Sequence, residues 1–338
     1  VQKQKSLKLL KVGDPHATVS NLSEMRSLFD FILKTALIQK VDHVVLMGDL
    51  FHTHAWLRIE VLMVWHEILT KFIADNSVSV IILEGNHDQP GPKEMEGKMS
   101  AVQALKLMFD GNQRLQVITK PKIIDGIGFL PYTSNEEKFY QWANELYERG
   151  ATGTLECHAT FQGSTYDNGM YAPGGFDLSK VSQKNIISGH IHKFQMFDKA
   201  MYIGTPKWET AVDADQEKGI WLMSATNGLV DVDKAEFIST ASVVTPMRKI
   251  VLKEDDAEPI LKEGSKYLIE FVGPSSWITK AKKQYVGRAA IKTTFTDSKQ
   301  RSKRESTGAS TIEEFLDKDF KPSIGVNRKK LVEYVMEN

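Results

Sequence analysis

Three short apolar runs stop abruptly on residues able to do chemistry. Leu7-Lys8-Leu9-Leu10-Lys11-Val12 is followed by Gly13-Asp14-Pro15-His16, Val44-Val45-Leu46-Met47 by Gly48-Asp49-Leu50-Phe51-His52, and Val78-Ser79-Val80-Ile81-Ile82-Leu83 by Glu84-Gly85-Asn86-His87-Asp88. Apolar runs of this length bounded by glycine read as buried parallel strands, and in open α/β sheets chemistry collects where such strands end. Residues 21–38 and 56–74 between them carry helical spacing. The chain up to Leu83 therefore has the βαβ rhythm of a parallel sheet covered on both faces. A right-handed crossover places all three polar strand ends on one edge.

Further along, the spacing predicts a helix over 98–109, strands over 114–117 and 127–130 assigned to a second sheet, and a helix over 135–147. A strand-like run over 154–160 holds His158, and 185–188 leads into Gly189-His190-Ile191-His192. Beyond Gly204-Thr205-Pro206 come strand patterns over 219–223 and 229–233, then a change of character near Thr245. Residues 249–295 alternate short β-like runs with lysine-rich connections, the pattern of a small α/β cap. The stretch 297–310 has no apolar residue larger than alanine and reads as a linker. Helical spacing returns over 311–338, with Ile312, Phe315, Leu316, Leu331, Val332, Val335 and Met336 on one face. The expected organisation is thus an α/β body at 1–244, a cap at 245–296, a flexible linker at 297–310 and a helical tail at 311–338.

With 338 residues, one core is not expected to serve the whole chain. Lysine plus arginine and aspartate plus glutamate both total 43, which on its face argues against a polyanionic partner. The balance is uneven, however. Residues 245–304 hold 14 basic against 7 acidic side chains, leaving 29 against 36 elsewhere. A basic segment on an acidic body suits a polyanion better than the zero total does. Cys157 is the only cysteine, which excludes an intramolecular disulfide and a cysteine-rich zinc module. No run of about 18 apolar residues or signal-peptide core is present, so a cytoplasmic protein without membrane attachment is expected.

Asp14, His16, Asp49, Asn86, His158, His190 and His192 offer carboxylate, amide and imidazole donors with no thiolate. That set suits Mn²⁺, with Fe²⁺ or Mg²⁺ as alternatives, better than structural zinc. Two ions about 3.5–4 Å apart and sharing Asp49 would use all seven. One takes Asp14, His16, Asp49 and His192, the other Asp49, Asn86, His158 and His190. Pro15 holds Asp14 extended at its strand end. Taken singly, each piece has an ordinary explanation: a surface turn, a helix-capping Asp49, a turn residue at Asn86, a satisfied buried His158. The ordered conjunction, each piece at the end of an apolar run, is what points to a metal centre.

Asp14-x-His16, Gly48-Asp49-Leu50-Phe51-His52, Gly85-Asn86-His87-Asp88, His158 and Gly189-His190-x-His192 resemble the ordered motifs of the calcineurin-like metallophosphoesterases. The Asp-Leu-Phe-His and Glu-Gly-Asn-His-Asp forms, with Tyr202-Ile203-Gly204-Thr205-Pro206 and Glu217-Lys218-Gly219 downstream, are similar to the SbcD-type nucleases of double-strand-break repair. The short cap and tail look most like a bacteriophage version. The resemblance implies two mostly parallel sheets sandwiched by helices, with a small α/β DNA-binding cap and a C-terminal helical tail. It also implies a nuclease using two Mn²⁺, a 3′-to-5′ exonuclease and single-strand endonuclease acting on DNA ends with an SMC-like ATPase of the SbcC type. Such a protein would be nucleoid-associated, or in the host cytoplasm if phage-encoded. Pro15 is unusual between the first two ligands, and cellular bacterial members often carry Asp where His52 stands.

Hydrolysis needs stabilisation of the leaving 3′-oxygen. His87, beside Asn86 and with Asp88 as its orienting partner, is the catalytic candidate, and His52 is a second, contacting the phosphate. His43, His54 and His66 lie outside the motifs and read as structural. Two other functions stay open: a phosphomonoesterase or cyclic-nucleotide phosphodiesterase with the same metal centre, and a DNA-end-binding scaffold with a degenerate site.

Two association surfaces are expected as well. Over 56–69, apolar residues occupy more of the helix circumference than one stripe requires. Leu57, Val61, Val64 and Ile68 would face the sheet, leaving Trp56, Ile59, Met63 and in part Trp65 outward, beside Met99, Val102 and Met108. Large apolar side chains at a surface predict a two-fold homodimer. The tail, tethered by a linker too polar to fold, would bury its apolar face in the ATPase coiled coil.

Overall fold

The structure, a computed structural model, describes residues 6–54, 56–74, 78–91, 100–172 and 174–297. In chain order the strands are β1 (Ser6–Val12), β2 (His43–Leu46), β3 (Ser79–Leu83), β4 (Leu115–Ile118), β5 (Lys122–Ile124), β6 (Ile127–Leu130), β7 (Thr154–His158) and β8 (Asn185–Gly189). They continue with β9 (Gln195–Phe197), β10 (Ala200–Tyr202), β11 (Gly219–Thr226), β12 (Leu229–Val230), β13 (Glu236–Ser239), β14 (Met247–Leu252), β15 (Lys266–Gly273) and β16 (Ala290–Phe295). The helices are α1 (Leu22–Gln39), α2 (Ile59–Ala74), α3 (Ala101–Met108), α4 (Glu136–Glu148) and α5 (Ser275–Ala281).

The described residues fall into two compact units: those within Val1–Val251, Ala257–Glu270 and Tyr285–Lys292, and those within Leu252–Asp256, Phe271–Gln284 and Thr293–Asp297. The first holds two sheets. One runs β12-β11-β1-β2-β3-β4, with β13 also on β11. Its β1, β2, β3 and β4 are mutually parallel, and β11 is antiparallel to β1. The other runs β5-β6-β7-β8-β10-β9, parallel from β6 through β10. The expected arrangement of two mostly parallel sheets with helices outside is therefore present.

Alternation along β1 assigns the layers. Leu7 and Leu9 pack with Val45, Ile81, Phe129, Ile187 and Met201 between the sheets. Leu10 and Val12 pack outward with residues of α1, α2 and α3. Leu155 and Cys157 of β7 face α4 and its Phe139, Ala143 and Leu146. By the same period of two, Lys11 and Glu156 point into the layer between the sheets, where they form a salt bridge with no solvent exposure on either side chain.

Two expectations are corrected. The run at 114–117 joins the first sheet, not the second, because β4 pairs parallel with β3, Val80 opposite Leu115. One more βαβ step through α3 is completed before the chain crosses over. The second sheet begins at β5, whose partner β6 returns through Asp125 and Gly126, both at positive φ. In α2, the first turn begins at Ile59, so Leu57 precedes it and stands 42% exposed, while Trp65 is fully buried. Starting there, the core face repeats as Val61, Val64, Trp65, Ile68, Leu69 and Phe72, a helical stripe that leaves Ile59 and Met63 outside. Trp65 packs edge-on to Phe29 at 4.9 Å and donates its indole N–H to the Leu50 carbonyl at 3.3 Å. Core packing thus pins the backbone next to Asp49.

A separate three-stranded sheet runs β14-β15-β16. In the second unit Phe271 and Ile278 are fully buried, and the Trp277 ring lies 5.8 Å from Phe271. The Asp297 carboxylate accepts the Ser275 N–H at 2.9 Å, at the start of α5. The linker and tail expected at 297–338 lie outside the described residues beyond Asp297.

Candidate metal centre

Every residue of the expected ligand set follows the C-terminal end of a parallel strand: Asp14 and His16 after β1, Asp49 after β2, Asn86 after β3, His158 closing β7, His190 and His192 after β8. Backbone hydrogen bonds from His16 N–H to the Asp49 carbonyl (3.0 Å) and from Ala17 N–H to the Leu50 carbonyl (2.9 Å) tie the first two ends together. Asp88 ties the next pair. Its carboxylate accepts the Phe51 N–H at 3.1 Å and the Gly85 N–H at 2.9 Å. The expectation that Asp88 orients the His87 ring is therefore corrected: its two oxygens hold the Asp49 and Asn86 loops in register. The His87 Nδ1–H donates instead to the His52 carbonyl, at 2.6 Å.

The side chains converge in two groups, Asp14 with His16 and His192, and Asp49 with His158 and His190. His16 Nε2 lies 3.1 Å from His192 Nε2 and 3.6 Å from Asp49 Oδ2. The same Oδ2 is 3.3 Å from His158 Nε2, so Asp49 stands between the groups. Asn86 Oδ1 completes the second, 2.9 Å from His158 Nε2 and 2.7 Å from His190 Nδ1. All seven expected residues are brought together. His16, Asp49 and His190 have φ of 42°, 51° and 79°, left-handed values that cost a non-glycine residue free energy and cluster at functional sites. Close approach also dictates two glycines. A Cβ on Gly85 would lie 2.2 Å from Asp49 Oδ1, and one on Gly189 2.5 Å from Asp14 Oδ1.

The electrostatics follow from burial. Desolvation pushes His190 down to about 3 and His192 to about 4, and lowers His16 well below the usual histidine value. Burial raises Asp14 to about 8, against the pull of His158. Burial would also raise Asp49, but the imidazoles of His158 and His16 outweigh it and hold its carboxyl well below the normal range. At His158 the burial penalty is overcome by Asp49 and Asp14, and the ring is raised to about 10.

These residues fit divalent cations. The His158 Nδ1–H donates to the Met47 carbonyl at 2.8 Å, so a neutral His158 aims its Nε2 lone pair at the acceptor oxygens of Asn86 and Asp49. Lone pairs facing one another need a proton or a cation between them. Asp14 Oδ1 and His16 Nδ1 are buried without hydrogen-bond partners. An all-oxygen-and-nitrogen donor set gathered this way suits hard or borderline ions.

Residues 7–194 match the family of calcineurin-like phosphoesterases, more than half of the chain. The chain belongs to that family. Among curated proteins, this phosphoesterase is 22% identical to "Exonuclease subunit 1" of Enterobacteria phage T4 over 248 residues, covering 69% of this chain and 67% of the relative. Among solved structures it resembles GAP50, the anchor in the inner membrane complex of Plasmodium, with a TM-score of 0.42 at 11% identity, covering 70% of this chain and 85% of that one. Among the described residues no helix is long and apolar enough to cross a membrane.

A third imidazole group adjoins the phosphoesterase centre: His87 lies 4.8 Å from His16 and His52 5.3 Å from it, ring centre to ring centre. Burial, then the charge of His87, lowers His52. The His87 N–H donates to Asp49 Oδ1 at 2.8 Å. Sequence reasoning read His54 as structural, yet its ring stacks on His87 at 4.2 Å. It also missed Lys207 and Asp167, which have no local pattern beyond a polar residue beside a buried strand or turn, and it met Lys218 only within the Glu217-Lys218-Gly219 motif, without a role for its side chain. From His52 a groove of about 960 Å³ extends past Thr18, Ser20, Asn21, Lys207, Thr245 and Lys266.

Proposed function

We propose that this phosphoesterase is a Mn²⁺-dependent DNA nuclease, a 3′-to-5′ exonuclease with single-strand endonuclease activity that processes DNA ends in recombination and repair with an SMC-like ATPase of the SbcC type. The observation carrying this reading is a two-part donor cluster joined at Asp49, beside His52, which lines the end of a groove rich in hydroxyl side chains and reaching Lys266. Serine, threonine, asparagine and lysine side chains are the groups that hold sugar–phosphate backbones. Of the groove's acids, Glu24 accepts the Thr245 N–H at 2.6 Å and Glu209 is bonded to the Lys207 ammonium. The phage relative's name, an exonuclease subunit, supports both a nucleic-acid substrate and a second subunit.

Asp14, His16, Asp49 and His192 would hold one ion, and Asp49, Asn86, His158 and His190 the other. Two divalent cations held there would supply the polarisation of a phosphodiester and the lowered pKa of a water nucleophile. The chain's own residues do the rest. Asp49, through its Oδ1, registers the His87 backbone beside the centre. With Nδ1–H committed to the His52 carbonyl, the free position of the His87 ring is Nε2, which in the imidazolium form gives its proton to the leaving 3′-oxygen. His52, in the same imidazole group, contacts the phosphate. The neutral rings of His190 and His192, kept so by burial, present lone pairs rather than competing protons.

Two partners belong to this reading. Trp56, Ile59 and Met63 are 76%, 64% and 51% exposed, and a shallow groove between α1 and α2 runs past Leu22, Ile59 and Met63. That face is apolar enough to seat the same face of a second copy, giving a homodimer. The tail at 311–338 is the proposed ATPase-binding element.

A substrate panel tests the function. Purified protein with Mn²⁺ should release nucleotides from the 3′ ends of end-labelled DNA and cut single-stranded circles. Turnover of a phosphomonoester or a cyclic nucleotide with DNA left intact would replace the nuclease reading by the phosphomonoesterase or phosphodiesterase one.

A further inference from the structure

Lys218 is 1% exposed and takes no part in the centre itself. Its ammonium donates to the Asp213 carboxylate at 2.8 Å, to Gln216 Oε1 at 2.8 Å and to the backbone carbonyl of His192 at 3.0 Å. Three protons meet three acceptors, so the buried charge is fully satisfied. Asp213 is itself fixed, its other oxygen accepting the N–H groups of Glu209 (3.0 Å) and Thr210 (2.8 Å). The Lys218 carbonyl accepts the Thr240 N–H at 3.1 Å. The lysine is thus anchored at both ends before it reaches His192.

His192 needs such an anchor. It lies three residues past the end of β8, outside any strand, and its side chain is 22% exposed, whereas those of Asp14 and His158 are fully buried. On the far side of its ring, Nδ1 faces Asp167 Oδ2 at 3.8 Å, an ion-pair distance longer than a hydrogen bond, while the other carboxylate oxygen, Oδ1, is buried without a hydrogen-bond partner. Partners beyond the direct ligands orient imidazole ligands and are worth roughly 10–100-fold in metal affinity.

We infer that Lys218, clamped by Asp213 and Gln216, and Asp167 are positioning residues that hold His192 at the Asp14–His16 half of the centre, from the backbone and from Nδ1 respectively. This rests on the dinuclear reading of the site. The test is a Mn²⁺ binding isotherm of the full chain. Wild type should bind two ions; binding none would overturn the metal reading itself. In Lys218→Met the ion of the Asp14–His16–His192 group should bind about 10–100-fold more weakly, with the ion of the Asp49–His158–His190 group retained. A merely structural lysine would weaken both ions together, and that result, or two unchanged ions in a folded variant, overturns the inference. Since Lys218→Met strands the Asp213 carboxylate, Lys218→Met/Asp213→Asn keeps the isotherm readable by removing that charge. Asp167→Ala, at a side chain 28% exposed, should show the same one-ion loss without disturbing the core, and equal retention of both ions there counts against the inference.

Discussion

Lys11→Met is expected to cost this protein about 3–5 kcal/mol, the penalty for stranding one partner of a buried ion pair. Lys11 on β1 and Glu156 on β7 are bonded in the layer between the two sheets, with no exposure on either side chain. Glu156 Oε2 has no hydrogen-bond partner, so among the described residues the lysine is the only hydrogen-bonding group answering this carboxylate. Burial pulls the Lys11 ammonium below its usual value, while the charge of Glu156 pulls it back up. Methionine matches the aliphatic stem, which isolates the charge. Set against a typical total stability of about 5–15 kcal/mol, the loss is a large fraction of the whole. The assay is urea unfolding of wild type, Lys11→Met, Glu156→Leu and the double variant. The double variant should recover to within about 1–2 kcal/mol of wild type, because well-packed apolar residues replace a buried pair at little cost. Because Asp14 lies three residues beyond Lys11 and His158 two beyond Glu156, the single variant should also bind Mn²⁺ more weakly. A Lys11→Met protein within 1 kcal/mol of wild type, or a double variant no better than the single ones, would refute the reasoning.

Three further outcomes are expected. Asp49→Asn should lower occupancy of both ions, because its Oδ2 faces His16 and His158 alike, whereas His16→Ala should mainly weaken one; two ions retained in Asp49→Asn by metal analysis would contradict the bridging role. His87→Ala should keep both metals and DNA affinity while losing about 10²–10⁴-fold in cleavage rate, and loss of metal instead would make His87 a ligand. Sedimentation at micromolar concentration should give a dimer for wild type and a folded monomer for Met63→Glu; a monomeric wild type ends the homodimer proposal.

The parts of the site that were legible in the sequence are those in which strand, glycine and ligand sit within a few residues of one another. Gly48-Asp49, Gly85-Asn86 and Gly189-His190 are local patterns, and the parallel β1-β2-β3 pairing follows from the helices between the strands. The grouping of His158 with Asn86 and His190 followed from dividing seven oxygen and nitrogen donors between two ions that share Asp49. What could not be read depends on contacts between distant segments. Lys11 stands in an apolar run where a lysine looks like ordinary alternation, and its partner lies 145 residues away. Lys218 meets the His192 carbonyl across 26 residues. Asp88 sits beside His87 in the chain, yet its oxygens turn to Gly85 and Phe51. The pairing of β4 and the burial of Trp65 were misread for a related reason: neither sheet membership nor helix phase is fixed until the preceding turn is placed.

The most direct measurement is the rate of cleavage of end-labelled DNA as Mn²⁺ is added one equivalent at a time to metal-free protein. Cleavage should rise steeply with the second equivalent bound, stay flat in Asp49→Asn, and stay flat in His87→Ala although that variant binds both ions. Full cleavage in the presence of a chelator, or no DNA cleavage with two ions bound, would contradict a dinuclear nuclease centre built on Asp49.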